Sequence, residues 1–596
     1  MKKTSLLTPQ TMSDRSIMRR LWGYVVGQKA SFILATGLMI GAVGLDLVLP
    51  ILFGEASRIL GEPDVVFIRV MVIVIISFIC LLASSIVQYI QTMTLQKAGQ
   101  KIIYSVREQV FTHIERFSMA QLTSLPVGKL VTRITNDTNA LNEMFTTIII
   151  SLLRSILMIV GILIAMVIIS PTLSIYIGLI TPLVAVSAFI FRKFSRSAYR
   201  EVRHNVSNVN AFLSENLSGM KITQVCNQED KKLKEFQEKN LALRKSSLKE
   251  IFVFAIFRPF IYVLYMATIM TVLWVGTENN LAEGMVTYPI LLVFYQFVDQ
   301  LFTPIQRIAE DFNVMQSAFA SSERIFETLD THPLIVDQPD AMELDSIKGD
   351  IEFRHVWFKY KEDEWVLKDV SFKINAGETV AFVGATGSGK TTILGLIVRN
   401  YEIQEGEILI DGINIKQIKI ASLRKHIGQM LQDVFLFSGT IESNIKMRED
   451  FTDEEVHHAC EYVNAHPFIM RLPKQYQEEV RERGNNFSTG ERQLLSFART
   501  IIHRPSVMIL DEATANIDAE TEVLIQDSLE KMMNIGTMIV VAHRLSTIQH
   551  ANNIIVLQKG TIIETGTHQE LLKNKGHYYK LYQLQYQDLE TRKEPL

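Results

Sequence analysis

Six apolar runs, at about 30–53, 66–90, 145–169, 172–192, 251–275 and 286–306, set the pattern of the first half of the chain. Each approaches the ~20 apolar residues that a helix needs to cross a bilayer core. The third and fourth runs are separated only by Ser170 and Pro171, which reads as a tight hairpin. The polar stretches after the second and fourth runs are long and look helical, so the membrane helices are expected to extend well beyond the lipid. Ahead of the first run, residues 18–25 (MRRLWGYV) mix basic and aromatic side chains, as in a short amphipathic helix lying at a membrane surface. The pattern changes after 306. Residues 307–350 are mixed and polar, with Pro333, Pro339 and Gly349, and read as a linker. From Ile351 to about 585, short strand patterns alternate with turns and helices, as in an α/β domain. Residues 586–596 read as a tail. The expected divisions are thus 1–306, 307–350, 351–585 and 586–596.

Charge orients the first half. The long loops carry Lys97, Lys101, Arg107, Arg116, Lys129 and Arg133, then Arg192, Lys193, Arg196, Arg200 and Arg203. The short loops carry Arg58 in the first and no basic residue in the other two. Positively charged loops stay in the cytoplasm, which places both termini and the α/β domain there, in a plasma (inner) membrane. The net charge of −3 gives no basic signal for nucleic acid. Cys80, Cys226 and Cys460 have neither metal spacing nor a disulfide framework and read as free thiols. The N-terminal stretch has charge but no apolar core before a cleavage site, so no signal peptide is expected. Asp46, Arg154, Arg258 and Asp299 are ionisable residues inside apolar runs. Such groups are costly at membrane depth and face a cavity or a partner. Arg154 lies close to a run end, whereas Asp46 and Asp299 look deeper and are the candidate cavity residues. Pro50, Pro259 and Pro304 are expected to mark kinks or breaks.

The chemistry lies in the second half. Gly384, Ala385, Thr386, Gly387, Ser388, Gly389, Lys390 and Thr391 read GATGSGKT, the G-x-x-x-x-G-K-[ST] phosphate-binding loop. An apolar strand pattern at 380–383 precedes it and a helical pattern at 392–398 follows, which is the context the motif needs. Glycines let backbone N–H groups curl around an anion, and the helix N-terminus adds partial positive charge. Lys390 would reach the β/γ-phosphates of ATP, and the Thr391 hydroxyl would bind Mg²⁺. A second apolar strand at 507–510 ends in Asp511 and Glu512. Asp511 is expected at the Mg²⁺, with water between, and Glu512 where a base polarises an attacking water. A third strand, at 540–542, ends in His543.

With these motifs on one chain, residues 351–585 resemble the nucleotide-binding domain of an ATP-binding cassette (ABC) transporter, and the whole chain resembles a bacterial half-transporter of the multidrug-exporter type. The resemblance implies an α-helical membrane domain of six transmembrane helices followed by an α/β P-loop cassette. It implies ATP hydrolysis coupled to export of amphipathic or hydrophobic compounds such as drugs or lipids. By the same resemblance Tyr360 stacks on adenine, and Thr392 closes the nucleotide-binding set. Gln432 touches Mg²⁺ and senses the membrane domain. Glu512 is the general base, His543 the γ-phosphate switch, and Asp518 part of the loop linking the two sites of a dimer. The stretches around Asp137 and Glu215 resemble the two cytoplasmic loops that meet the cassettes. Six spans with positive-inside loops argue against a soluble ABC ATPase of DNA repair or translation.

One motif departs from the family. The signature LSGGQ, which closes over ATP held by the partner cassette, is here Phe487, Ser488, Thr489, Gly490 and Glu491. Ser488 and the Gly490 N–H would still reach the γ-phosphate. Thr489 adds a side chain where glycine permits close approach, and Glu491 brings a carboxylate toward a polyanion. The chain's own loop, Asp511, Glu512, Gln432 and His543 are intact. The expected assembly is therefore a heterodimer with a second half-transporter that brings a regular LSGGQ and a degraded catalytic glutamate, giving one hydrolysing site and one that mainly holds ATP. The alternative is a homodimeric lipid or lipid-A flippase of the same fold.

Overall fold

A computed structural model describes residues 12–62, 67–277, 287–361, 364–447, 449–511, 518–541 and 548–591. The chain divides into two compact units, one of Met1–Glu115 with Pro126–His332 and one of Arg116–Leu125 with Pro333–Leu596.

The first unit is helical. Helix α1 (Asp14–Val26) is capped by the Ser13 side chain and is followed by α2 (Lys29–Leu60) and α3 (Phe67–Glu115). Then come α4 (Val127–Ile169), α5 (Pro171–Ser218), α6 (Glu229–Val275) and α7 (Tyr288–Asp330). Among the described residues, α2 to α6 are long and apolar enough to cross a membrane, and the last apolar run of the sequence lies on α7. The helices outrun the lipid as expected, α3 reaching 49 residues. Ser170 alone separates α4 from α5, and Pro171 opens α5 at a position where its missing N–H costs no helix bond. Pro50, Pro259 and Pro304 stand inside α2, α6 and α7, and none of them ends its helix. The unit's apolar core gathers Ile162 and Met166 of α4, Leu173 and Ile177 of α5, and Phe294, Phe297 and Val298 of α7.

One feature differs from the sequence reading, and a second adds to it. The stretch 307–350 is helical as far as Asp330, because α7 runs on. Ala318, Ser322, Ile325 and Thr328 recur at helical spacing and are buried, so a stretch of mixed composition still has one packed face. Helix α4 contains two π-helical turns, Arg133–Asp137 and Met144–Ile148. Asp137, expected where cytoplasmic loops meet the cassettes, is buried in the first of these turns. It is clasped by Arg324 of α7, whose Nε donates to Oδ2 at 3.0 Å. The short helix Met119–Ser124 is the segment that groups with the second unit, where the Leu334 N–H donates to Gln121 Oε1 at 3.1 Å.

The second unit holds two main sheets. Strands β1 (Ile351–Lys361), β2 (Glu364–Ile374), β4 (Glu405–Ile410) and β5 (Ile413–Asn414) form an antiparallel sheet in the order β2-β1-β4-β5. The larger sheet is built from β3 (Thr379–Val383), β6 (Ile427–Met430), β7 (Val507–Asp511), β8 (Thr537–Val541), β9 (Asn553–Gln558) and β10 (Thr561–Gly566). Its order is β10-β9-β3-β8-β7-β6, parallel except for the β9/β10 pair. Parallel strands covered on both faces read as continuous apolar runs, and β3 and β8 are buried at every position. That burial is why the motif strands were legible. The register places Val541 beside Phe382 and Asp511, and Leu510 beside Met430. The carboxyl ends of β3, β8, β7 and β6 therefore share one sheet edge, the edge where open α/β sheets bind ligands.

Candidate functional site

The phosphate-binding loop leaves β3 and enters α8 (Lys390–Ile397) at that edge. Gly387 (φ +81°) and Gly389 (φ +108°) adopt backbone angles that side chains resist, and Gly389 caps α8. A Cβ at Gly384 would stand 2.2 Å from the Leu557 carbonyl oxygen, so the loop is held close against β9. Residues 385–387 are exposed, whereas Ser388 and Lys390 are buried. The Lys390 ammonium donates to the Gly384 and Ala385 carbonyls at 2.7 and 3.1 Å. Burial lowers its pKa, and the Asp511 carboxylate pulls it back up. The Ser388 hydroxyl is buried without a partner among the described residues. An unpaired buried hydroxyl is costly, and a phosphate oxygen is the partner this loop is built to receive.

The neighbouring groups converge on the same edge. Tyr360 on β1 is half exposed, and its hydroxyl bonds Thr392 Oγ1 at 3.0 Å. Edge-to-face contacts with Phe358 (4.8 Å) and Tyr401 (5.0 Å) fix its ring. Burial raises the Tyr360 pKa, so the phenol stays protonated. Thr391 is exposed on the first turn of α8, Asp511 ends β7, and exposed Gln432 follows β6. The donors Thr391, Asp511 and Gln432 are all oxygen-bearing, the set a hard cation such as Mg²⁺ takes. Glu512 and His543 lie outside the described residues. In the sequence Glu512 is one residue after Asp511 and His543 two after Val541, the last described residues of β7 and β8.

The signature opens α9 (Thr489–Ile501) with a capping box. Ser488 Oγ accepts from the Glu491 N–H at 3.2 Å, and Glu491 Oε2 accepts from the Ser488 N–H at 2.8 Å. Gly490 is buried, and Arg492 donates to Thr489 Oγ1 at 3.4 Å. The carboxylate that the sequence brings toward a polyanion is tied back onto its own helix N-terminus. S-x-x-E is itself the spacing of a capping box, so the signal was in the sequence. Asp518 likewise caps the helix Ala519–Met532, accepting from the Thr521 N–H at 2.9 Å, and that bond lowers its pKa.

In the membrane unit the candidate acids part company. Asp46 meets Arg154 at 3.0 Å and accepts from Ser84 Oγ at 2.7 Å. Gln88 closes the ring, donating to Ser84 at 3.0 Å and accepting from Arg154 at 3.3 Å. Asp299 instead accepts from the Tyr265 hydroxyl at 3.3 Å. The side chain of Arg258 lies outside the described residues.

A helical unit of bilayer-spanning helices joined to a P-loop cassette defines an ATP-driven membrane transporter. Residues 32–305 match the ABC transporter transmembrane region and 367–515 match the ABC transporter family. The chain is 36% identical over 578 residues, covering 96% of it and 97% of the relative, to the Streptococcus pneumoniae ABC transporter ATP-binding protein exp8. It is 38% identical to the "Probable multidrug resistance ABC transporter ATP-binding/permease protein YheH" of Bacillus subtilis, over 84% of this chain and 74% of that protein. It is 32% identical to an ATP-dependent lipid A-core flippase of Desulfotalea psychrophila, over 96% of this chain and 100% of that one. A solved bacterial Atm1-family ABC exporter with ATP bound shares the fold, with a TM-score of 0.77 at 24% identity over 94% of this chain and 98% of the other. The chain belongs to the ABC transporter family: it is an exporter subunit with a transmembrane and an ATP-binding domain, and its cassette couples ATP hydrolysis to transport.

Proposed function

We propose that the chain is one half of a heterodimeric multidrug exporter of the plasma membrane, with both termini and the cassette in the cytoplasm. The observation that carries the pairing is the Ser488/Glu491 capping box, which puts a carboxylate on the helix N-terminus that has to receive the partner's γ-phosphate. The chain's own loop, by contrast, has its lysine, its orphan serine hydroxyl and Asp511 at one sheet edge. A partner with LSGGQ completes that half into a hydrolysing site. In the second site FSTGE covers a partner loop whose glutamate is degraded, and ATP mainly stays bound. In this reading Mg²⁺ is held by Thr391, Gln432 and, through water, Asp511, and it neutralises phosphate charge. Tyr360 stacks on the adenine, Thr392 positions Tyr360, Glu512 polarises the attacking water, and His543 contacts the γ-phosphate. Asp518 relays between the two sites. ATP binding draws the cassettes together and favours the outward-facing state, and hydrolysis resets it.

The cargo is an amphipathic or hydrophobic small molecule taken from the bilayer, a reading supported by the likeness to YheH. The likeness to a lipid A-core flippase along nearly the full length favours a second reading, a homodimeric lipid flippase. Glu512→Gln in the assembled transporter separates base from bystander. Turnover is expected to vanish while ATP stays bound, and surviving turnover would remove Glu512 from the mechanism.

A further inference from the structure

The two acids at membrane depth differ in what they have left to offer. The charge of Asp46 is consumed by Arg154, with Ser84 and Gln88 completing the ring. Asp299 forms no ion pair among the described residues. It stands eleven residues into α7, about 16 Å along the helix at 1.5 Å per residue, near the middle of a ~30 Å core. Tyr265, its hydrogen-bond partner, stands ten residues before the end of α6, at matching depth. Tyr295 stands one turn before Asp299 on α7. The Tyr265 ring meets Phe302 edge-on at 5.5 Å and Tyr262 at 6.1 Å. Tyr262, Tyr295 and Asp299 are exposed on this chain, Tyr265 is half-buried, and Phe302 is buried behind them. A carboxylate turned to hydrocarbon is costly, so this exposed face belongs to a water-accessible cavity.

An acid with no ion pair among the described residues, set beside several aromatic rings, has the chemistry that selects a lipophilic cation. The carboxylate supplies the charge, and the ring faces attract a cation without demanding one fixed position. We propose that Asp299, Tyr262, Tyr265 and Tyr295 form a binding subsite for lipophilic monovalent cations in the transport cavity. This rests on the exporter reading above and narrows it to one class of cargo.

The test uses the assembled transporter in nanodiscs without ATP, with tetraphenylphosphonium as the cationic probe and Nile red as the neutral one. Asp299→Asn is expected to weaken tetraphenylphosphonium binding about tenfold and to change Nile red binding less than about twofold. Asp299→Glu and Tyr265→Phe are expected to retain the cation, whereas Tyr265→Ala loses part of the affinity. Equal affinity of the wild type and Asp299→Asn for the cation would overturn the proposal, as would an equal loss for both probes or a wild type that binds no tetraphenylphosphonium. Failure of the exporter reading looks different: binding persists, but inside-out vesicles accumulate neither probe when ATP is added.

Discussion

Glu491 serves two opposed purposes with one side chain. Its carboxylate completes the capping box of α9 and sits favourably at the positive end of the helix. In the proposed heterodimer the same negative charge occupies the approach of the partner's nucleotide. Glutamine keeps the box and drops the charge. Glu491→Gln is therefore expected to change stability by less than about 0.5 kcal/mol and to tighten ATP binding at the site it covers, read by ATP titration of the complex. Weaker binding would contradict that electrostatic role. Ser488→Ala removes the cap and is expected to cost about 1 kcal/mol, visible as a lower melting temperature of the cassette. The cysteines give an independent check on packing. Burial pushes the Cys460 thiol up to about 12, while Cys226 is exposed. The thiolate is the reactive form, so maleimide at pH 8 is expected to label Cys226 and to spare Cys460 until the chain is denatured. Native labelling of Cys460 would show that the cassette core is looser than described.

Among the helices, the ring of Asp46, Ser84, Gln88 and Arg154 ties α2, α3 and α4 together. Removing one partner leaves the other charge uncompensated. Arg154→Ala is expected to cost about 3–5 kcal/mol, and adding Asp46→Asn to recover most of it, as measured by thermal unfolding in detergent. Additive losses would show that the pair is not coupled. What the sequence could reveal follows the same physics. Apolar length marked the spans, and continuous burial marked β3, β7 and β8, because each signal is local. The meeting of Asp46 with Arg154, and of Asp137 with Arg324, depends on pairings across 108 and 187 residues, for which a single sequence has no signal. The continuation of α7 to Asp330 was hidden by mixed composition, although its small and apolar residues kept a helical period. The capping box, by contrast, is local and legible in the S-x-x-E spacing of Ser488 and Glu491.

At the scale of the whole transporter, the proposed heterodimer makes the sheet edge with Lys390, Ser388 and Asp511 half of one ATP site, and the capped N-terminus of α9 the weakened half of another. An exporter built this way has one strong stroke per cycle instead of two, and its second nucleotide acts as a clamp between the cassettes. The most direct test of that asymmetry is the steady-state ATPase rate of the purified chain alone, set beside the rate after assembly with an LSGGQ-bearing half-transporter. Turnover is expected near background for the chain alone and to rise on assembly, with Glu512→Gln in this chain returning the complex to background. Robust hydrolysis by the isolated chain would contradict it.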